Sequence, residues 1–123
     1  MGKYVCNFEE RTNCIKMVLS GFFTGTDAEN YVRDLVKETY RVKNFVKSKT
    51  TGCASDIYLE LDSILLGFYP CDVKAKLKGV FELYKHLGYK LIRLKLNRPQ
   101  KELARKFGLL CEETGLNWEV MFV

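Results

Sequence analysis

FELYKHLGYKLIRLKL, residues 81–96, carries two periodicities, one on each side of a single glycine. Before Gly88, apolar residues recur at Val73, Leu77, Val80, Phe81, Tyr84 and Leu87, the spacing of a helix with one buried stripe. Lys74, Lys78 and Lys85 lie off that stripe. After Gly88 the period drops to two. Ile92, Leu94 and Leu96 face one way, and Arg93 and Lys95 the other. A helix closed by glycine and followed at once by a strand is half of a parallel crossover unit.

The same grammar extends in both directions. Toward the carboxyl end, Asn97 is the expected cap of a helix over roughly 98–113. Its inward positions are Leu103, Phe107, Leu110 and Cys111, and Gly115 ends it. NWEVMFV, residues 117–123, closes the chain as a strand. Toward the amino end, the helix of residues 73–87 is expected to start near Cys71–Asp72, just after Pro70. IYLEL, residues 57–61, reads as a strand that Asp62 and Ser63 end. ILLGFYP, residues 64–70, is too broken by Gly67 for a helix and too apolar for an exposed loop. It is expected to fold over the end of the sheet or to present an adhesive surface.

KSKTTGCAS, residues 47–55, is a polar loop. Before it, Ala28, Tyr31, Val32, Leu35, Val36, Val42, Phe45 and Val46 predict a helix from about Asp27 to Phe45. Thr26 is its expected N-cap, with Glu29 completing a capping box. KYVCNF (3–8) and CIKMVLS (14–20) form an antiparallel hairpin across a turn containing Asn13. The predicted order is β-β-α-β-α-β-α-β. It implies an α/β domain over residues 1–123 with a mixed five-stranded sheet, an antiparallel first strand and right-handed crossovers.

Composition agrees with one domain. The 123 residues are 47% hydrophobic, enough for one core, and no apolar run approaches the length of a bilayer. MGKYVCNFEE is neither an export signal nor a myristoylation site, so a cytoplasmic location is expected. The five cysteines (6, 14, 53, 71 and 111) are scattered without a CxxC, and His86 is the only histidine. That pattern predicts free thiols packed as small hydrophobes, and neither a zinc site nor a disulfide framework. Charge is uneven. Residues 1–70 balance nine basic against nine acidic side chains, whereas residues 71–123 hold eleven against six. The net +5 therefore lies in the second half.

VLSGFFTGTDAENYVRDL (18–35) resembles the second strand and first helix of STAS domains, the fold of sulphate-transporter tails and anti-sigma-factor antagonists. Leu19, Ser20 and Gly21 match the family's strand end. IYLELDS (57–63) resembles its central strand, and FELYKHLGYKLIRLKLN (81–97) its following helix–strand unit. The resemblance implies a domain that binds a partner around residues 62–72 and the exposed side of the following helix. Antagonist members carry a phosphorylated hydroxyl at the start of that helix. The corresponding stretch here is Pro70-Cys71-Asp72-Val73, so that switch is missing.

No catalytic motif emerges. Cys71 at a helix start would meet the positive end of the dipole, but no histidine or second cysteine adjoins it. His86 falls in the last turn of its helix, where it can meet unsatisfied carbonyls. Glu9-Glu10 and Glu112-Glu113 read as solvated charges. GFFTG lacks the Lys-Ser/Thr ending of a phosphate loop. No cofactor or metal is expected.

The leading expectation is protein–protein binding in a bacterial-type regulatory or signalling setting, through Asp62, Ser63, Phe68, Tyr69, Cys71, Asp72 and Lys74. Two alternatives stand beside it. One is nucleic acid or an anionic membrane surface met by basic residues such as Lys78, Arg93, Lys95 and Arg98. The other is a lipidic or apolar ligand held by residues 64–69.

Overall fold

A computed structural model describes residues 2–49, 56–67 and 71–123, with the backbone alone for residues 49 and 71–75. Strands β1 (Lys3–Glu9) and β2 (Cys14–Gly21) are followed by helix α1 (Gly25–Lys49) and strand β3 (Tyr58–Leu66). Helix α2 (Cys71–Leu87), strand β4 (Leu91–Leu96), helix α3 (Lys101–Thr114) and strand β5 (Trp118–Phe122) complete the chain. A short 3-10 turn over Arg98–Gln100 leads into α3. The expected element order holds. β1 pairs antiparallel with β2, and β2, β3, β4 and β5 run parallel.

The strands lie in the sheet in chain order, β1-β2-β3-β4-β5. Every parallel crossover therefore steps in one direction. With right-handed connections, all three helices fall on the same face of the sheet. There α1 packs against α2 and α2 against α3. The core is the seam between that helical layer and the sheet. Ile15, Met17, Leu59, Leu61, Ile92, Leu94 and Leu96 face Leu35, Val42, Phe81, Leu87 and Phe107, all nearly inaccessible to water. Removing any large member from water contributes roughly 1.5–3 kcal/mol. Buried hydroxyls are paired within the seam. Tyr31 bonds Tyr84 at 2.7 Å, and Thr39 reaches both the Leu35 carbonyl and the Tyr89 hydroxyl.

Among the described residues nothing covers the opposite face. It carries Asn7, Lys16, Glu60, Arg93 and Glu119 in one row across the five strands. The four charges alternate in sign. Arg93 bridges Glu119 at 2.6 Å and Glu60 at 3.5 Å, and Lys16 meets Glu9 at 2.6 Å. Parallel sheets usually bury both faces in apolar side chains. Here side chains that pair across strands let one face meet water.

Helix α1 runs on to Lys49, past the expected end at Phe45 and into the stretch read as loop, and two further boundaries differ for identifiable reasons. The N-cap of α1 is Thr24 rather than Thr26. The Thr24 hydroxyl accepts the Asp27 N–H at 3.1 Å, and the Asp27 carboxylate accepts the Thr24 N–H at 3.0 Å. Asp27 also accepts the Gly2 N–H at 3.0 Å, which ties the entry of β1 to the start of the helix. A box at Thr26–Glu29 offers no such third partner. The second correction is β3, which does not stop at Asp62–Ser63 but continues to Leu66. A bulge sustains it: Val18 pairs with Asp62 and Ser20 with Leu65, so one extra β3 residue is absorbed between them.

Backbone donors hold the Asp27 carboxyl below its usual range. Its stabilising effect is complete above the unfolded aspartate value of about 3.9 and is lost as pH falls through the lower folded value. Urea unfolding should show Asp27→Asn less stable than the wild type at neutral pH, with the gap closing in acid. Thr24→Ala should cost about 1 kcal/mol, with a weaker pH dependence, since its hydroxyl is a lesser cause of the lowered Asp27 value than the backbone donors.

Candidate functional site

The carboxyl ends of β2 and β3, together with the start of the 3-10 turn, form one edge of the sheet. Gly21 ends β2 with φ +75°, a conformation that disfavours a side chain. The turn it makes lets the Gly21 carbonyl accept the Gly67 N–H at 2.8 Å. The Phe22 ring then lies on the bare backbone of Gly67, where an added Cβ would fall 2.8 Å from Cε1. Phe22 remains 55% exposed, and Leu65, turned out by the bulge, is 70% exposed.

β3 loses β4 as a partner beyond Asp62–Lys95. Side chains of the 3-10 turn replace the ladder. The Gln100 amide donates to the carbonyls of Ser63 at 2.8 Å and Leu66 at 3.3 Å, and the Asn97 amide donates to Ile64 at 3.2 Å. Gln100 returns its own carbonyl oxygen to the Asn97 N–H at 2.9 Å. Asn97, the expected cap, is the N-cap of the 3-10 turn, and Gln100 closes a capping box with it. The turn runs directly into α3, which begins at Lys101.

The predicted site residues separate. Asp62 and Ser63 are neighbours on opposite sides of the sheet. Asp62 is part-exposed on the uncovered face, 3.9 Å from Lys95, and Ser63 is fully buried. Phe68 and Tyr69 lie outside the described residues, as do the side chains of Cys71, Asp72 and Lys74. Leu65 belongs to the 64–70 stretch expected to be adhesive and is the exposed apolar residue nearest to them along the chain; Phe22, which sequence reasoning missed, lies against Gly67. The basic residues also disperse. Lys78 is exposed on α2, Arg93 and Lys95 sit in ion pairs on the uncovered face, and Arg98 is exposed at the carboxyl edge.

Two hollows among the described residues do not suit a large ligand. One, of about 220 Å³, lies on the uncovered face beside Cys14, Lys16, Tyr58 and Arg93. Both of its cations are already held by Glu9, Glu60 and Glu119. The other, of about 30 Å³, lies under α1 and α2 against Leu19, Tyr31 and Phe81. It has room for a water or two and not for an acyl chain. No cluster of metal-binding side chains occurs among the described residues, and no described helix is long and apolar enough to cross a membrane.

Burial pushes the thiols of Cys6 and Cys14 up to about 11 and that of Cys111 up to about 12, away from the thiolate that a nucleophile needs. Comparison of the chain with protein families, with curated proteins and with solved structures finds no match.

Two measurements check this description. A thiol titration of native protein near neutral pH should leave Cys14 and Cys111 unlabelled until denaturant is added. Gln100→Ala frees two carbonyls of β3 and should cost about 1 kcal/mol in urea unfolding.

Proposed function

We infer that this chain is a non-catalytic, STAS-like binding domain whose partner is another protein, in a regulatory or signalling role. The partner would dock on the carboxyl edge, across Phe22, Leu65 and residues 67–74, with Asp62 at its margin and the buried Ser63 left out. The observation that carries this reading is the pair Phe22 and Leu65. Two large apolar side chains stand more than half exposed at the ends of adjacent strands. Both are held by backbone devices, the Gly21–Gly67 bond and the β3 bulge, so they are presented on a rigid support. Preorganised apolar anchors are what a protein interface uses for most of its energy.

Chain order supports the STAS likeness, since each βα unit follows the last across the sheet. Cys71 and Asp72 stand where that family's switch hydroxyl would be, so binding would not be controlled by phosphorylation there. The dispersal of basic residues over three surfaces favours a protein over nucleic acid, which needs a continuous positive track. The small interior hollow favours it over a carried lipid.

A photo-crosslinking side chain placed at Leu65 should capture one protein species in cells of the source organism. The same probe at Tyr40, exposed on α1, should not. Phe22→Ala should weaken the captured complex about 10-fold or more, the usual effect of removing an aromatic anchor. Equal yields from positions 65 and 40 would refute the placement.

A further inference from the structure

β5 is an edge strand whose outer side is free among the described residues. Two printed bonds fix which groups point outward. Ile92 donates its N–H to the Asn117 carbonyl at 2.9 Å, and Val123 donates its N–H to Leu96 at 2.9 Å. In a parallel ladder this assigns the odd residues, 117 to 123, to β4. The N–H and C=O groups of Trp118, Val120 and Phe122 therefore face away from the sheet. Such an edge templates another strand unless charge, proline or a bulge blunts it. β5 (WEVMF) has no proline and a single charge, Glu119, which Arg93 already holds at 2.6 Å. Met121 and Phe122 are 37% and 45% exposed.

We propose that two copies of this chain pair antiparallel through β5, forming one continuous ten-stranded sheet. The register follows from the outward groups. Placing Val120 opposite Val120 sets Trp118 against Phe122 in both directions. Those three pairs exchange six backbone hydrogen bonds. On the helical side an aromatic pair flanks each end of the valine contact, a favoured cross-strand combination. On the uncovered side Glu119 meets Met121, so no like charges oppose. Shifting the register by one step in either direction leaves fewer outward pairs, and in one direction it sets Glu119 against Glu119. The strand is thus complementary to itself in one alignment, as a twofold contact requires. Pairing of β5 with β1 of a second copy would leave free edges and grow without closing.

Sedimentation across a concentration series should show a transition from 14.3 kDa to twice that mass. Val120→Pro removes an outward N–H and spares every bond to β4, so it should abolish the dimer with helicity retained, and melting should fall only by the small loss of Val120 packing on the core. If Val120→Pro misfolds, Val120→Lys tests the same edge. The register has its own check. The double variant Glu119→Cys, Met121→Cys should form an intermolecular disulfide above the wild-type background, and Glu119→Cys alone should not. A wild type that stays monomeric throughout, a dimer that survives both position-120 variants, open-ended growth, or cross-linking of Glu119→Cys alone would each overturn the proposal.

Discussion

Four parallel strands laid down in chain order, with every crossover of one hand, confine the helices to a single face of the sheet. Most other features of the molecule answer to that constraint. The apolar sides of α1, α2 and α3 meet one side of the strands and make one core. The other side must tolerate water, although four of its five strands are parallel. It does so with the alternating row Lys16, Glu60, Arg93, Glu119, in which Arg93 satisfies carboxylates on both neighbouring strands. The Arg93–Glu119 pair, exposed on both sides, adds little stability, such pairs having a median near 0–1 kcal/mol, whereas Glu60 is itself buried beneath Arg93. The effect of the row is to keep a solvated face from becoming an apolar one.

The same constraint makes the carboxyl edge the place where the structure departs from regularity. β3 outlasts its pairing with β4, and its last carbonyls would be stranded without Asn97 and Gln100. A two-residue side-chain clamp replaces a missing ladder. The same two residues open the helical run that follows, Asn97 as N-cap of the 3-10 turn and Gln100 as the other half of its capping box. Leu65 is exposed by this arrangement, and Phe22 by the glycine turn beside it.

The elements themselves were plain in the sequence, because period and punctuation agreed. Phe81–Leu96 shows helix, glycine and strand in sixteen residues, and the structure follows it, with Gly88 at φ +79°. The α1 cap was harder to read. Thr24–Asp27 and Thr26–Glu29 are overlapping boxes, and the choice between them is made by the Gly2 N–H, 25 residues from Asp27. The β3 end was misplaced for a similar reason. A polar Asp-Ser pair reads as a strand terminus, and nothing local shows that Ser63 is buried or that residues 97 and 100 wait to take the carbonyls. Exposure of Phe22 was also invisible, since an apolar residue beside a glycine looks the same whether it is covered or not, whereas Leu65 belongs to the broken apolar stretch 64–70 that the sequence marks as adhesive.

The order of strands also bears on how the molecule comes together. No strand is inserted between two that precede it, so no step requires opening a finished pair. The β1–β2 hairpin is local, and each later helix–strand unit adds to an edge already built. A ribosome releasing the chain from its amino end can therefore deliver it in the sequence in which it assembles. The growing sheet exposes one adhesive border at a time, and β5 is the last of them.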